Sequence, residues 1–123
     1  MSNFTELETA VLHAIFKETP EIQDALERQL EAATVVEREN TGAGFFTTIA
    51  IQEDVAAVSS ASPLGREVGA RVGGVNHGMG FLVFMENGRM RTLEGFTYAD
   101  STADLDLEHV DFEVLSVPEG SAI

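Results

Sequence analysis

Histidine is the side chain best suited to acid–base chemistry near neutral pH, and this chain contains three. No two of them have the spacing of a helical zinc site, and there is no cysteine to complete one. His77 is the strongest candidate, because it lies in the glycine-rich stretch 73–80, where a ligand can approach the backbone closely. The same glycines would also serve a tight connection between strands. The sequence therefore predicts neither a metal nor a cofactor, and it leaves His77 as a ligand-binding candidate.

Three further polar residues are candidates for a ligand site. Arg38 and Asn40 lie at the mouth of a predicted hairpin, where polar side chains are held by a rigid scaffold. Glu94 lies in an apolar stretch, and a buried carboxylate needs a basic partner. That partner would be one of three arginines: Arg38, Arg71 or Arg91. A catalytic acid would have the same sequence signature, but no second carboxylate or nucleophile lies at a recognised spacing from Glu94.

These candidates would define an enzyme or a small-ligand-binding protein only if they converge. Arg38, Asn40, His77 and Glu94 would have to surround one concave site beside the predicted loop 73–80. The loop does not have the pattern of a phosphate-binding loop, because no lysine and hydroxyl pair follows its last glycine. No catalytic residue is assigned on these grounds.

The elements that must position these side chains begin with two helices. The spacing from Thr5 to Glu8 is that of a capping box, which predicts the start of a first helix. Five apolar residues then form one stripe along it: Leu7, Val11, Leu12, Ile15 and Phe16. Thr19 and Pro20 are predicted to cap and open a second helix. The short connection between the two predicts an antiparallel helical pair over about residues 5–33.

The remainder of the chain, about residues 34–116, is predicted to form a sheet around a central hairpin. The run from Phe81 to Met85 reads as a buried strand, and Asn87 and Gly88 tolerate the positive φ of a type I′ turn. Shorter strands are predicted around residues 34–36, 45–51, 68–72 and 110–114, with a surface loop at 52–64. The fold class is a single α+β domain, with the helical pair on one face of a mostly antiparallel sheet of five to six strands.

The net charge of −14 comes from 21 acidic and seven basic residues. Such a field repels a phosphate backbone, so nucleic-acid binding is disfavoured, and it attracts basic proteins. Solubility, or adaptation to a salty cytoplasm, would explain the same charge. The candidates for a partner-binding strip are four acidic residues near the C-terminus, where no lysine or arginine occurs: Asp104, Asp106, Asp111 and Glu113.

Other features of the sequence indicate where the protein works and with what. The apolar runs are too short for a membrane span, and the N-terminal residues do not form a signal peptide. These features, with the absence of cysteine, predict a soluble cytoplasmic protein. Sheets with uncovered outer strands tend to pair, so a homodimer is expected.

Three segments of the chain resemble small uncharacterised bacterial proteins: residues 38–46, 84–89 and 93–96. The cadence of the second half, F-x-x-x-G-x-x-x-x-L-E, is also similar to that of some immunity proteins of bacterial toxin systems. The resemblance implies a compact α+β binder without catalytic residues, and it assigns no role to any individual residue. The leading interpretation is therefore a non-catalytic protein-binding domain, with an enzyme or small-ligand binder as the alternative.

Overall fold

The computed structural model describes residues 4–116, which form two helices followed by six strands. The elements are α1 (Glu6–Lys17), α2 (Gln23–Glu31), β1 (Ala33–Asn40), β2 (Gly44–Ile51), β3 (Val68–Val72), β4 (Val75–Glu86), β5 (Arg89–Thr97) and β6 (Phe112–Ser116). The predicted α+β class is confirmed. No helix within residues 4–116 has the length and apolar character needed to cross a membrane.

All six strands belong to one antiparallel sheet with the order β1-β2-β5-β4-β3-β6. The predicted central hairpin is present as β4 and β5, which lie in the middle of the sheet. Its turn has Asn87 at φ 54° and Gly88 at φ 79°, the two positive values that a type I′ turn requires. The two edge strands are β1 and β6.

Helix α1 starts as its sequence predicts. The Thr5 hydroxyl accepts a hydrogen bond from the Glu8 backbone N–H, and the Glu8 carboxylate accepts one from the Thr5 N–H. These two bonds satisfy backbone donors that a helix start otherwise leaves without partners. All five residues of the predicted stripe are buried, so α1 covers one face of the sheet.

That covered face of the sheet forms the core together with the helices. Inward-facing residues of β2, β4 and β5 include Phe45, Phe81 and Leu93, each at most 2% exposed. Gly95 lies among them, and a Cβ there would be 2.5 Å from the Phe45 ring. The glycine thus lets the Phe45 and Phe81 rings pack 6.2 Å apart, and each buried ring contributes roughly 2–3 kcal/mol of apolar burial.

Several predicted boundaries are wrong, among them that of the last strand, which begins at Phe112 and leaves Val110 outside it. Helix α2 begins at Gln23, not at Pro20, because the Thr19 hydroxyl donates to the Phe16 carbonyl and so closes the end of α1. The predicted loop 73–80 is a turn at Gly73 and Gly74 only, followed by strand β4. Glycines there do not break the strand, because Val75 pairs with Val72 of β3 and a register shift accommodates the extra residues. From Met79 onward β5 pairs with the other side of β4.

Candidate functional site

The face of the sheet opposite the helices is uncovered, and we call it the open face. Along β2, β5 and β4 its residues alternate with those of the core, and the register places Phe46, Glu94 and Leu82 in one row across the three strands. Phe46 is 38% exposed, and Leu82 is half-buried. The next row along the same three strands consists of Gly44, Phe96 and Gly80. The Phe96 ring packs edge-on against Tyr98, with centroids 5.6 Å apart. An apolar surface of this kind is typical of a binding face.

Glu94 is half-buried in the middle of the open face, and no side chain among residues 4–116 forms an ion pair or hydrogen bond with it. The prediction that an arginine would pair with it is therefore wrong. Arg38 binds Glu8 at 2.7 Å, Arg71 lies 3.3 Å from Glu113, and Arg91 lies 4.0 Å from Glu86. Glu94 thus presents a negative charge that apolar neighbours shield in part from water.

A trough of about 510 Å³ lies beside this row, over β3 and the first half of β4. Gly69 and Gly78 contribute to its lining, and Tyr98 and Leu115 form apolar walls that are 56% and 41% exposed. Gly80 makes the Tyr98 wall possible, because a Cβ there would be 2.6 Å from the Tyr98 hydroxyl and 2.5 Å from the Phe96 ring. We refer to this feature as the trough.

His77 lines the trough, on strand β4 and not in the loop predicted for it. Its ring Nδ1 and its backbone N–H both lie 3.0 Å from Asp100 Oδ2. Desolvation alone would raise the pKa of Asp100, but the hydrogen bonds from His77 outweigh it, and the pKa of Asp100 is lowered from its usual value. The carboxylate therefore fixes the orientation of an exposed imidazole at the end of the trough.

Arg38 and Asn40 lie elsewhere and hold the fold together. Arg38 donates two hydrogen bonds of 2.7 Å to Glu8, whose carboxylate also accepts from the Thr47 hydroxyl. This bond to Glu8 raises the pKa of Arg38. The Asn40 amide donates to the Thr102 carbonyl and accepts from the Thr102 hydroxyl. Both residues also line a depression of about 220 Å³ beside residues 105–108.

The four ligand-binding candidates are thus found in three places. Arg38 and Asn40 share the smaller depression, His77 lines the trough, and Glu94 belongs to the open face. They do not surround one concave site. Within residues 4–116, no three histidine, aspartate or glutamate side chains are grouped so that they could hold a metal ion.

The four residues of the predicted acidic strip are all exposed. Asp106 lies 2.8 Å from the ring of His109, and this hydrogen bond lowers the pKa of Asp106 and raises that of His109. Glu113 is the exposed partner of Arg71. Asp104 and Asp111 have no ion pair with another residue in the range 4–116. These four residues are therefore exposed acidic side chains, and Asp106 also lines the smaller depression beside Arg38 and Asn40.

Sequence reasoning named Glu94 but missed the apolar side chains that surround it. A signal was present in the strands, where Phe46, Thr48 and Ala50 alternate with the buried residues of β2. The two helices cover only one face of this sheet, so large residues at the strand positions that point to the other face are exposed to solvent. Comparison of the chain with family models, with curated proteins and with solved structures found no match.

Proposed function

We propose that this protein is a non-catalytic binding domain whose partner is a basic protein, and that the open face is where the partner binds. The observation that carries the proposal is an uncovered sheet face on which Phe46 lies opposite Glu94, a carboxylate without a partner among residues 4–116. Phe96 and Tyr98 continue the apolar surface along the same face. Aromatic side chains on an exposed surface are characteristic of protein interfaces, and a single-sign charge selects the partner.

The acidic strip has a different role in this proposal. Charges at the rim of an interface act at a distance, so they accelerate encounter with an oppositely charged partner more than they lengthen the life of the complex. Asp104, Asp106, Asp111 and Glu113 are exposed in this way. The resemblance to immunity proteins is compatible with such a binder, and a toxin gene adjacent to the gene for this chain would favour that role.

A second candidate function is the binding of a small ligand in the trough. It is favoured by the size of the trough and by the imidazole of His77, which Asp100 holds in place. The site that sequence analysis proposed for an enzyme is weakened by the structure, because its four residues lie in three places. A ligand in the trough would instead contact His77, Tyr98 and Leu115.

Capture of partners from a native lysate, at low and at high salt, tests the proposed function. The variant combines Asp104→Asn, Asp106→Asn, Asp111→Asn and Glu113→Gln, and it should retain the fold because these side chains are exposed. We expect the wild type to capture basic proteins at low salt, and both high salt and the variant to reduce that capture. If the same proteins are captured in all four conditions, the acidic charge serves solubility and does not select a partner.

Homodimerisation through an edge strand of the sheet is also proposed. Both edges carry exposed carboxylates, Glu37 and Glu39 on β1 and Glu113 on β6, and β1 also has a register shift after Val35. Sedimentation at high micromolar concentration is the test, and a monomer under those conditions contradicts the expectation.

A further inference from the structure

The distribution of charge on the open face indicates what kind of partner segment fits it. Glu37 pairs in register with Thr48, and Glu39 pairs with Phe46, so both carboxylates lie on the open face of β1. With Glu94 they place three carboxylates on the open face, two on β1 and one on β5. Arg71, on β3, lines the trough, and it is paired with the exposed carboxylate of Glu113 on β6.

A second copy of this chain is a poor occupant for this surface. Two copies placed face to face would bring two sets of these carboxylates together, and each chain carries a net charge of −14. A basic segment, in contrast, would form an ion pair with the carboxylate of Glu94. Because Phe46, Leu82 and Phe96 exclude part of the water around that carboxylate, an ion pair formed there is screened less than one on an open surface.

The trough supplies the second contact. Two of its walls are the apolar side chains of Tyr98 and Leu115, and the polar side chains of Arg71 and His77 also line it. The glycines at positions 69 and 78 line the trough without side chains. Two strand spacings across the sheet and about three residues along it place the trough roughly 14 Å from Glu94, which is within the reach of one short peptide segment. A large apolar side chain placed there would bury the two most exposed apolar walls on this half of the face.

We propose that the open face recognises a segment of the partner in which an arginine or lysine lies close to a large apolar residue. The cation pairs with Glu94, and the apolar side chain enters the trough between Tyr98 and Leu115. This inference rests on the proposed function and adds to it the location of the interface and the chemistry of the recognised segment.

A library of short random peptides displayed on phage tests the inference without knowledge of the natural partner. The wild-type protein is used for selection, and the affinity of an enriched peptide is then measured for four variants. Glu94→Gln removes the central charge, Tyr98→Ser and Leu115→Ser each remove one wall, and Glu21→Gln removes an equal charge from the turn before α2, on the helical side of the molecule. Unfolding curves confirm that each variant is folded.

We expect enriched peptides to contain arginine or lysine together with a large apolar residue. Glu94→Gln should weaken their binding about tenfold, the effect of losing one charge-assisted contact, and removal of either wall should weaken it about as much. Glu21→Gln should leave the affinity unchanged. Two wall variants are included so that one misfolded variant does not remove the test of the trough.

Two other outcomes separate the inference from the proposed function. Basic peptides that bind equally well to Glu94→Gln and to both wall variants, but lose affinity for the neutralised acidic strip, would overturn the inference and leave a basic partner in place. Enrichment of peptides without basic residues, or no enrichment at low salt, would overturn both.

Discussion

Arg38→Met should lower the free energy of unfolding by about 3–5 kcal/mol, the usual cost of removing one partner from a buried ion pair. The carboxylate of Glu8 is 1% exposed, and Arg38 neutralises it through two hydrogen bonds of 2.7 Å. After the substitution only the Thr5 N–H and the Thr47 hydroxyl would remain as donors to a buried charge. Because α1 and β1 are joined at this point, we expect the packing of the helix on the sheet to be lost along with the pair.

Denaturant unfolding of two further variants shows whether the loss is caused by the buried charge. Arg91→Met removes an arginine whose pair with Glu86 is exposed and 4.0 Å long, so it should change stability by less than about 1 kcal/mol. The double variant Glu8→Gln with Arg38→Met removes the uncompensated charge and should be more stable than Arg38→Met alone. Equal losses for Arg38→Met and Arg91→Met would mean that the pair contributes little.

The same pair explains why part of the site was not predictable from the sequence. The capping box identified Glu8 as a helix-start residue, which is correct, but Glu8 also lies one turn before Leu12 on the buried side of α1. A carboxylate there needs a cation, and β1 supplies Arg38 from 30 residues away. Glu94 is left without any of the three arginines considered for it, because each of them pairs with another carboxylate. Which arginine reaches which carboxylate depends on strand order, and local patterns do not carry that information.

The fold itself was predictable where the determining interactions are local. The capping box at Thr5, the period of the α1 stripe and the Asn87-Gly88 turn all act over a few residues, and each gave the correct element. The predicted boundaries were wrong where contacts between separate elements of the fold determine the structure. Strand β4 extends back to Val75 because Val75 pairs with Val72 of β3 across the short turn, and this pairing overrides the usual effect of glycine in a strand.

Gly88→Val is expected to lower the free energy of unfolding by about 2–4 kcal/mol, through a strained backbone and a clash together. Gly88 has φ +79°, which a β-branched residue adopts only at considerable cost. A Cβ there would also lie 2.6 Å from the Val58 carbonyl oxygen and 2.7 Å from the Ala57 Cβ. Relief of that contact would require the loop at 52–67 to move away from the turn.

Movement of that loop would disturb more than the hairpin. The Gly88 carbonyl accepts hydrogen bonds from the Val58 N–H and from the side chain of Gln29, which is completely buried. The same amide of Gln29 donates to the Ala56 carbonyl and accepts from the Met90 N–H, so it joins α2, the loop and the turn. A shift at Gly88 therefore strains three elements, and buried polar groups left without partners each cost about 1–3 kcal/mol.

The matched control is the β3–β4 turn of the same sheet. Gly73→Ala places its Cβ no closer than 3.5 Å to any neighbour, in a backbone conformation open to other residues, whereas Gly88→Ala meets both the positive φ and the contact with Val58. We expect denaturant midpoints in the order wild type and Gly73→Ala, then Gly88→Ala, then Gly88→Val. If Gly88→Val unfolds at the wild-type midpoint, Gly88 does not have the positive φ and the close contact with Val58 on which the expected loss of stability depends.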